Sequence, residues 1–307
     1  MTGKVQFSSR GVTVAAHLYL PPPSAPDRKG AGVVCGHPMG GVKEQTSGTH
    51  AKRLADQGFV ALAFDAAYQG ESGGEPRGLE DPFQRAEDVR AAVTFLATAV
   101  PEVDPNRIGA FGICASGGYV CFASQTDLRI KAIATLGAVD TGEIFRDGMK
   151  GTAMQISRES LRKTLQAAGE ARMAEARGEC APLIPLVPDD PTNVPEGTPD
   201  LFRDASDYYQ TPRAGHPRAN NRFALRSYDL LVNYSSFAFM ELISPRPLLM
   251  MAGSEADTKY FSEEAIARAL DPKELYVIPE KAHIATYDDL TGHFPKLVDF
   301  MAQHLCW

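Results

Sequence analysis

The stretch Arg107-Ile-Gly-Ala-Phe-Gly-Ile-Cys-Ala-Ser-Gly-Gly-Tyr119 runs as an apolar strand into a turn of small residues and then straight into a helix, with Cys114 at the corner. Such a corner is a nucleophile elbow. Gly112, two residues before the nucleophile, and the small Ser116, two after it, leave room for a residue forced into a strained backbone conformation. The same geometry sets the sulfur at a helix N-terminus, where free N–H groups favour a thiolate.

Two serines compete for the role. Gly70-Glu-Ser72-Gly-Gly74 matches G-x-S-x-G to the letter, but the preceding apolar run, Phe59 to Asp65, ends too early, and Glu-Pro-Arg-Gly follows instead of an apolar helix. Ser72 therefore reads as a loop residue. Ser116 is flanked by Cys114 and Gly118 at the right offsets but would fall inside the helix, beyond the strand's end.

Outward from the elbow, short apolar runs alternate with helical patterns. Thr13–Leu20, Ala31–Gly36, Phe59–Asp65, Ile108–Ile113, Ile130–Leu136, Leu248–Ala252 and Leu275–Ile278 read as strands. Val89, Val93, Leu96 and Val100, and later Leu290, Phe294, Leu297, Val298, Met301 and Leu305, keep helical spacing. Repeated strand-then-helix order predicts a mostly parallel sheet with helices on both faces. The alternation lapses from about residue 141 to 242, too long for a crossover. The expected organisation is thus a core of residues 1–140 and 243–307 with a helical cap inserted at 141–242. Within the insertion, Gln155–Arg177 should be helical, the six prolines at 182, 185, 188, 191, 195 and 199 should keep the chain extended, and a further helix is expected over Arg222–Leu242. Tyr228, Tyr234 and Phe237 on that helix would line a substrate pocket or form the cap's own core.

Composition narrows the function classes. The 307 residues carry a formal charge of −7 and no basic cluster interleaved with aromatics, which argues against nucleic acid or an anionic membrane as partner. The N-terminus lacks an apolar leader and no later segment has the length of a membrane span, so a cytoplasmic location is expected. Five scattered cysteines suit reduced thiols, and neither they nor the seven histidines show metal-ligand spacing. No metal or organic cofactor is implied.

A nucleophilic thiol needs a base, and the base a partner. The run after Leu248–Ala252 ends in Gly-Ser-Glu-Ala-Asp257-Thr, and that after Leu275–Ile278 in Pro-Glu-Lys-Ala-His283. The order is nucleophile, acid, histidine. Asp257 is preferred as acid over Glu255, and His283 as base over His293. The oxyanion of acyl transfer would be held by the N–H groups of Ala115, at the start of the helix, and Met39, in the turn Gly36-His-Pro-Met-Gly-Gly41, where Pro38 has none to offer. His37 would brace this turn.

With these parts in place the sequence resembles the α/β-hydrolase superfamily over essentially its whole length. The Gly-Ile-Cys114-Ala-Ser-Gly-Gly elbow is similar to that of dienelactone hydrolases, whose triad is Cys-Asp-His. His37–Gly48, Ala66–Arg77 and Asp204-Ala-Ser-Asp-Tyr-Tyr209 resemble a related group that includes fungal polyketide transferases. The resemblance implies an α/β-hydrolase fold and acyl transfer from an ester or thioester to water or an alcohol in secondary metabolism, with the acyl chain delivered by a polyketide synthase carrier domain. Ser116, where glycine is expected, and the long insertion depart from the dienelactone hydrolase pattern. A lyase, cyclase or isomerase on the same scaffold, and a non-catalytic ligand-binding protein, are the competing readings.

Overall fold

A computed structural model describes residues 2–307. Eight strands form one sheet in the order β1-β2-β4-β3-β5-β6-β9-β10: β1 Thr2–Ser9, β2 Val12–Tyr19, β3 Gly32–Gly36, β4 Val60–Phe64, β5 Ile108–Ile113, β6 Ile130–Leu136, β9 Leu248–Gly253 and β10 Lys273–Ile278. β1 and β2 pair antiparallel to each other, β2 pairs antiparallel to β4, and every pairing from β4 onward is parallel. The residues of β3, β4, β5 and β9 are buried throughout, because helices cover both faces of the parallel part and near-continuous apolar runs then cost nothing in exposed area. The covering helices are α1 Thr46–Asp56, α2 Pro82–Ala99, α3 Ala115–Thr126, α8 Lys259–Arg268 and α9 Phe294–Leu305. The start of α2 is fixed by Asp81, whose carboxylate accepts the N–H groups of Phe83 and Gln84, with Pro82 at the first helical position. No helix among the described residues is long and apolar enough to cross a membrane.

The segment between β6 and β9 adds no strand to this sheet. It holds α4 Thr141–Asp147, α5 Arg158–Ala176, α6 Asp200–Gln210, the four-residue α7 Tyr228–Leu231, and a small antiparallel pair, β7 Leu183–Pro185 with β8 Arg222–Ala224. The proline-rich stretch is only partly extended loop. β7 interrupts it, and Asn221 clamps Val187 by accepting its N–H (2.9 Å) and donating to its carbonyl (2.8 Å).

The helix expected over Arg222–Leu242 does not form. β8, two 3₁₀ turns, α7 and irregular chain replace it. Asp140 accepts from Ser236 N (3.0 Å) and Ser235 Oγ (3.1 Å), which folds the chain back and lets its aromatics fill gaps between helices rather than present one face.

Candidate active site

The turn after β5 has the conformation its small residues allow. Cys114 sits at φ 56° and ψ −120°, immediately before α3. A Cβ on Gly112 would lie 2.1 Å from the Ser116 carbonyl oxygen, so the elbow closes only over glycine. Ser116 is more than small: its hydroxyl donates to His37 O (2.5 Å) and accepts from Arg85 (3.3 Å), tying the elbow to the turn after β3. His37 braces that turn from within. Its Nδ1 donates to Pro38 O (2.7 Å) and its Nε2 accepts from Ala66 N (3.0 Å), a neutral tautomer that burial and the neighbouring Arg85 enforce by lowering its pKa. Met39 and Ala115 reach the same apolar cavity as Cys114, and the Ala115 N–H lowers the pKa of its thiol.

The loop after β10 brings His283 to the elbow. Its ring lies over Gly137 (φ +56°), where a Cβ would come within 2.9 Å of Cε1. Nδ1 is hydrogen-bonded to Thr258 Oγ1 at 2.6 Å, and Nε2 to the Tyr287 hydroxyl at 3.0 Å. That hydroxyl shares the cavity with the Cys114 thiol and lowers its pKa, so it faces both sulfur and imidazole. Burial pushes the thiol up to about 11 against the pull of Tyr287 and the Ala115 N–H, and pushes His283 down to about 3. At neutral pH the pair is a thiol and a neutral imidazole. Desolvation thus opposes the thiolate that a helix N-terminus favours.

Several expected site residues lie elsewhere. Asp257 does not touch His283: its Oδ2 accepts the Leu201 N–H in the first turn of α6 (3.0 Å), while Oδ1 is buried without a partner. The chain turns at Asp257 so that Thr258, the next residue, meets the ring instead. Glu255 is exposed. His293 is not on a polar helix face but wholly buried, its Nε2 bonded to His50 Nε2 at 2.9 Å. Ser72 is a buried loop residue that donates to Asp65 O (2.7 Å) and accepts from Ala15 N (2.8 Å).

The three aromatics expected at a substrate pocket are core residues. Tyr234 packs on Phe122 (5.0 Å) and Phe83 (5.5 Å), Tyr228 on Phe145 (5.2 Å), and Phe237 is buried. The cavity at Cys114, about 50 Å³, is walled instead by Ile144, Phe145, Leu186, Val187, Leu201, Phe202 and Tyr209. The one grouping of metal-ligand spacing among the described residues, His17, Glu44 and Glu71, already holds a cation: the Lys43 ammonium lies 2.9 Å from Glu44 and 2.5 Å from Glu71.

Comparison with known proteins agrees with this architecture. The family model of the dienelactone hydrolase family matches residues 14–138, which include the elbow. The uncharacterized protein YcjY of Escherichia coli is 41% identical over 293 residues, 94% of this chain and 93% of its own. The crystal structure of the hypothetical protein PA2218 of Pseudomonas aeruginosa superposes with a TM-score of 0.90 at 38% identity, over 99% of this chain and 94% of that one. The chain belongs to the dienelactone-hydrolase-related group of the α/β-hydrolase superfamily. This α/β-hydrolase is accordingly a hydrolase-type enzyme. It is also similar to the polyketide transferase grgF of a Penicillium species, 27% identical over 84% of this chain and 82% of that protein. The grgF crystal structure matches this α/β-hydrolase in fold with a TM-score of 0.83 at 21% identity, over the full length of both chains.

Proposed function

We propose that this enzyme transfers the acyl group of a small ester or thioester through a covalent intermediate on Cys114. The observation that carries the reading is the Tyr287 hydroxyl, hydrogen-bonded to His283 at 3.0 Å and lining the same cavity as the elbow thiol, whose pKa it lowers. The sulfur attacks the carbonyl carbon as its proton passes to the Tyr287 oxygen and the Tyr287 proton passes to His283 Nε2. Thr258 accepts from Nδ1–H, which keeps Nε2 free as the base and makes Thr258, rather than Asp257, the orienting partner. The N–H groups of Met39 and Ala115 receive the oxyanion. As the tetrahedral adduct collapses, the carbonyl bond to the leaving group breaks and the proton returns along the same path to the departing thiolate or alkoxide. Water or an acceptor hydroxyl, deprotonated by His283, then attacks the acyl carbon; the C–S bond breaks and the proton returns through Tyr287 to the Cys114 sulfur.

Residues 141–242 act as a cap whose apolar residues close over the acyl chain. The likeness to a polyketide transferase favours an acyl chain handed over from a synthase carrier domain in secondary metabolism. Intact mass spectrometry after incubation with short-chain acyl thioesters tests the reading: an acyl mass increment on the native protein, lost in Cys114→Ala, is expected. An increment that survives in Cys114→Ala would overturn it.

A further inference from the structure

Two cavities meet at the turn after β3. The apolar one contains Cys114. The second, about 280 Å³, lies beyond Met39 and Leu186, which line both. It is polar, and three arginines face it: Arg77 from the loop after β4, and Arg218 and Arg222 from the inserted segment.

Their charges are spent unequally. Arg218 is paired with Glu44 (2.5 Å), and Arg222 with Asp189 (2.7 Å). Arg77 has no carboxylate within ion-pairing distance among the described residues. Its Nη1 donates to Ser72 O (2.5 Å) and Gly74 O (3.4 Å) and its Nη2 to Gly70 O (2.9 Å), while Nε makes no bond. Carbonyl oxygens fix the guanidinium without neutralising it. Glu80, the carboxylate in the cavity lining, is consumed by Tyr119 (2.8 Å), Arg85 (3.2 Å) and Gln69 (2.5 Å). Glu75 accepts the Arg77 main-chain N–H (3.0 Å) but makes no ion pair with the guanidinium, so the cavity presents a fixed cation without a salt-bridge partner in the lining that also holds Met39.

A carbonyl held at Met39 and Cys114 sends its two substituents in two directions. One direction is apolar and narrow, the other polar and several times roomier. We infer that the polar cavity binds an anionic group, carboxylate or phosphate, on the alcohol or thiol half of the substrate, with Arg77 as its principal counter-charge. This rests on the acyl-transfer reading above and adds the chemical class of the leaving half.

The test compares butyryl thioesters of N-acetylcysteamine (neutral), 3-mercaptopropionate (carboxylate) and phosphopantetheine (phosphate), together with the succinyl thioester of N-acetylcysteamine, which carries its charge on the acyl side. At low salt one or both anionic leaving groups should exceed the neutral one in kcat/KM by about tenfold or more, mostly through KM. Which of the two leads identifies carboxylate or phosphate. Raising the salt to about 0.5 M should erode the ratio without any substitution. Arg77→Gln should bring it to within about threefold of one. Because Arg77 also braces its loop, Arg222→Gln is the second variant, with a partial fall. Equal rates for charged and neutral leaving groups in the native enzyme, an unchanged ratio in Arg77→Gln, or a preference for the succinyl thioester would overturn the inference. Absence of turnover and of an adduct on Cys114 with all four thioesters would instead refute the acyl-transfer reading. Calorimetric titration of free phosphopantetheine and 3-mercaptopropionate against N-acetylcysteamine would then decide the cavity's charge preference alone, and equal binding would refute it.

Discussion

Cys114 and Leu201 line the same cavity but are held there by unlike means. The elbow wall is locked from inside, by the closure of Gly112 on the Ser116 carbonyl and by buried hydrogen bonds among Ser116, Arg85 and His37. The opposite wall belongs to the inserted segment, which packs on the sheet domain through Tyr234 against Phe83 and Phe122 and adds surface ion pairs: Arg213 to Asp288 (2.7 Å), Arg218 to Glu44 (2.5 Å) and Lys150 to Glu264 (2.7 Å). Exposed pairs of this sort each contribute about 0 to 1 kcal/mol and weaken with salt. Reacting groups thus sit on the elbow face, and the apolar groups that would grip the substrate sit on the opposite one. Substitutions on the first should act on kcat, and on the second on KM.

The largest effect should come from removing the base. His283→Ala is expected to lower kcat by about three orders of magnitude or more, with KM little altered. Steady-state kinetics on a thioester would check this, and near-native turnover would break the assignment of chemistry to the elbow face.

Acid should strike the same face next. His283 and His293 are pushed down to about 3 and His50 to about 4, all by burial. As pH falls below 6.5 the unfolded chain takes up protons at these positions and the folded one does not, so stability is lost on going from 6.5 toward 4. Asp88, raised to about 6 by burial, works in the opposite sense, because the folded state then binds a proton that the unfolded state releases. From these four groups alone the loss near pH 5 is about 2 to 3 kcal/mol per pH unit, and His37, lowered by burial, acts in the same direction. Urea unfolding at pH 7, 6 and 5 would measure it, and a midpoint that rises with acid would contradict the burial of the three rings.

Tyr287→Phe removes the link between thiol and imidazole and keeps the ring. An approximately hundredfold fall in kcat is expected, and an unchanged rate would mean that His283 moves to reach the sulfur directly.

The smallest pair of effects divides Thr258 from Asp257. Thr258→Val should cost about tenfold in kcat by freeing the imidazole to rotate, whereas Asp257→Asn, which still accepts the Leu201 N–H, should change kcat by less than about threefold. A deeper loss in Asp257→Asn than in Thr258→Val would return the orienting role to the aspartate.

These contrasts also mark what the sequence could disclose. The buried parallel strands declare themselves as unbroken apolar runs, and Ile108–Ile113 and Ile130–Leu136 are bounded as expected. β1 escapes notice because Lys4, Gln6 and Ser8 alternate with Val5 and Phe7, so that only one face, packed through Phe7 against Phe95 at 5.5 Å, is apolar. In the site, Cys114 and His283 are legible from their place after strands. Tyr287 is not, although its spacing of four from His283 is the signal that a helical turn would bring the two together. The choice between Asp257 and Thr258 is decided by a peptide orientation that α6 captures through Leu201, a contact between residues 56 positions apart. The insertion is least legible because its aromatics pack into irregular gaps rather than along a periodic face.

The hydroxyl that faces both sulfur and imidazole has a consequence for the life of the enzyme under oxidising stress. A cysteine that stays protonated in an apolar recess is a poor target for peroxide, since oxidation to sulfenic acid proceeds through the thiolate. Cys180, exposed on the inserted segment, offers oxidants and alkylating reagents an easier sulfur. Peroxide that modifies the protein surface would therefore leave its turnover intact until, with substrate bound, the Cys114 proton passes through Tyr287 to His283.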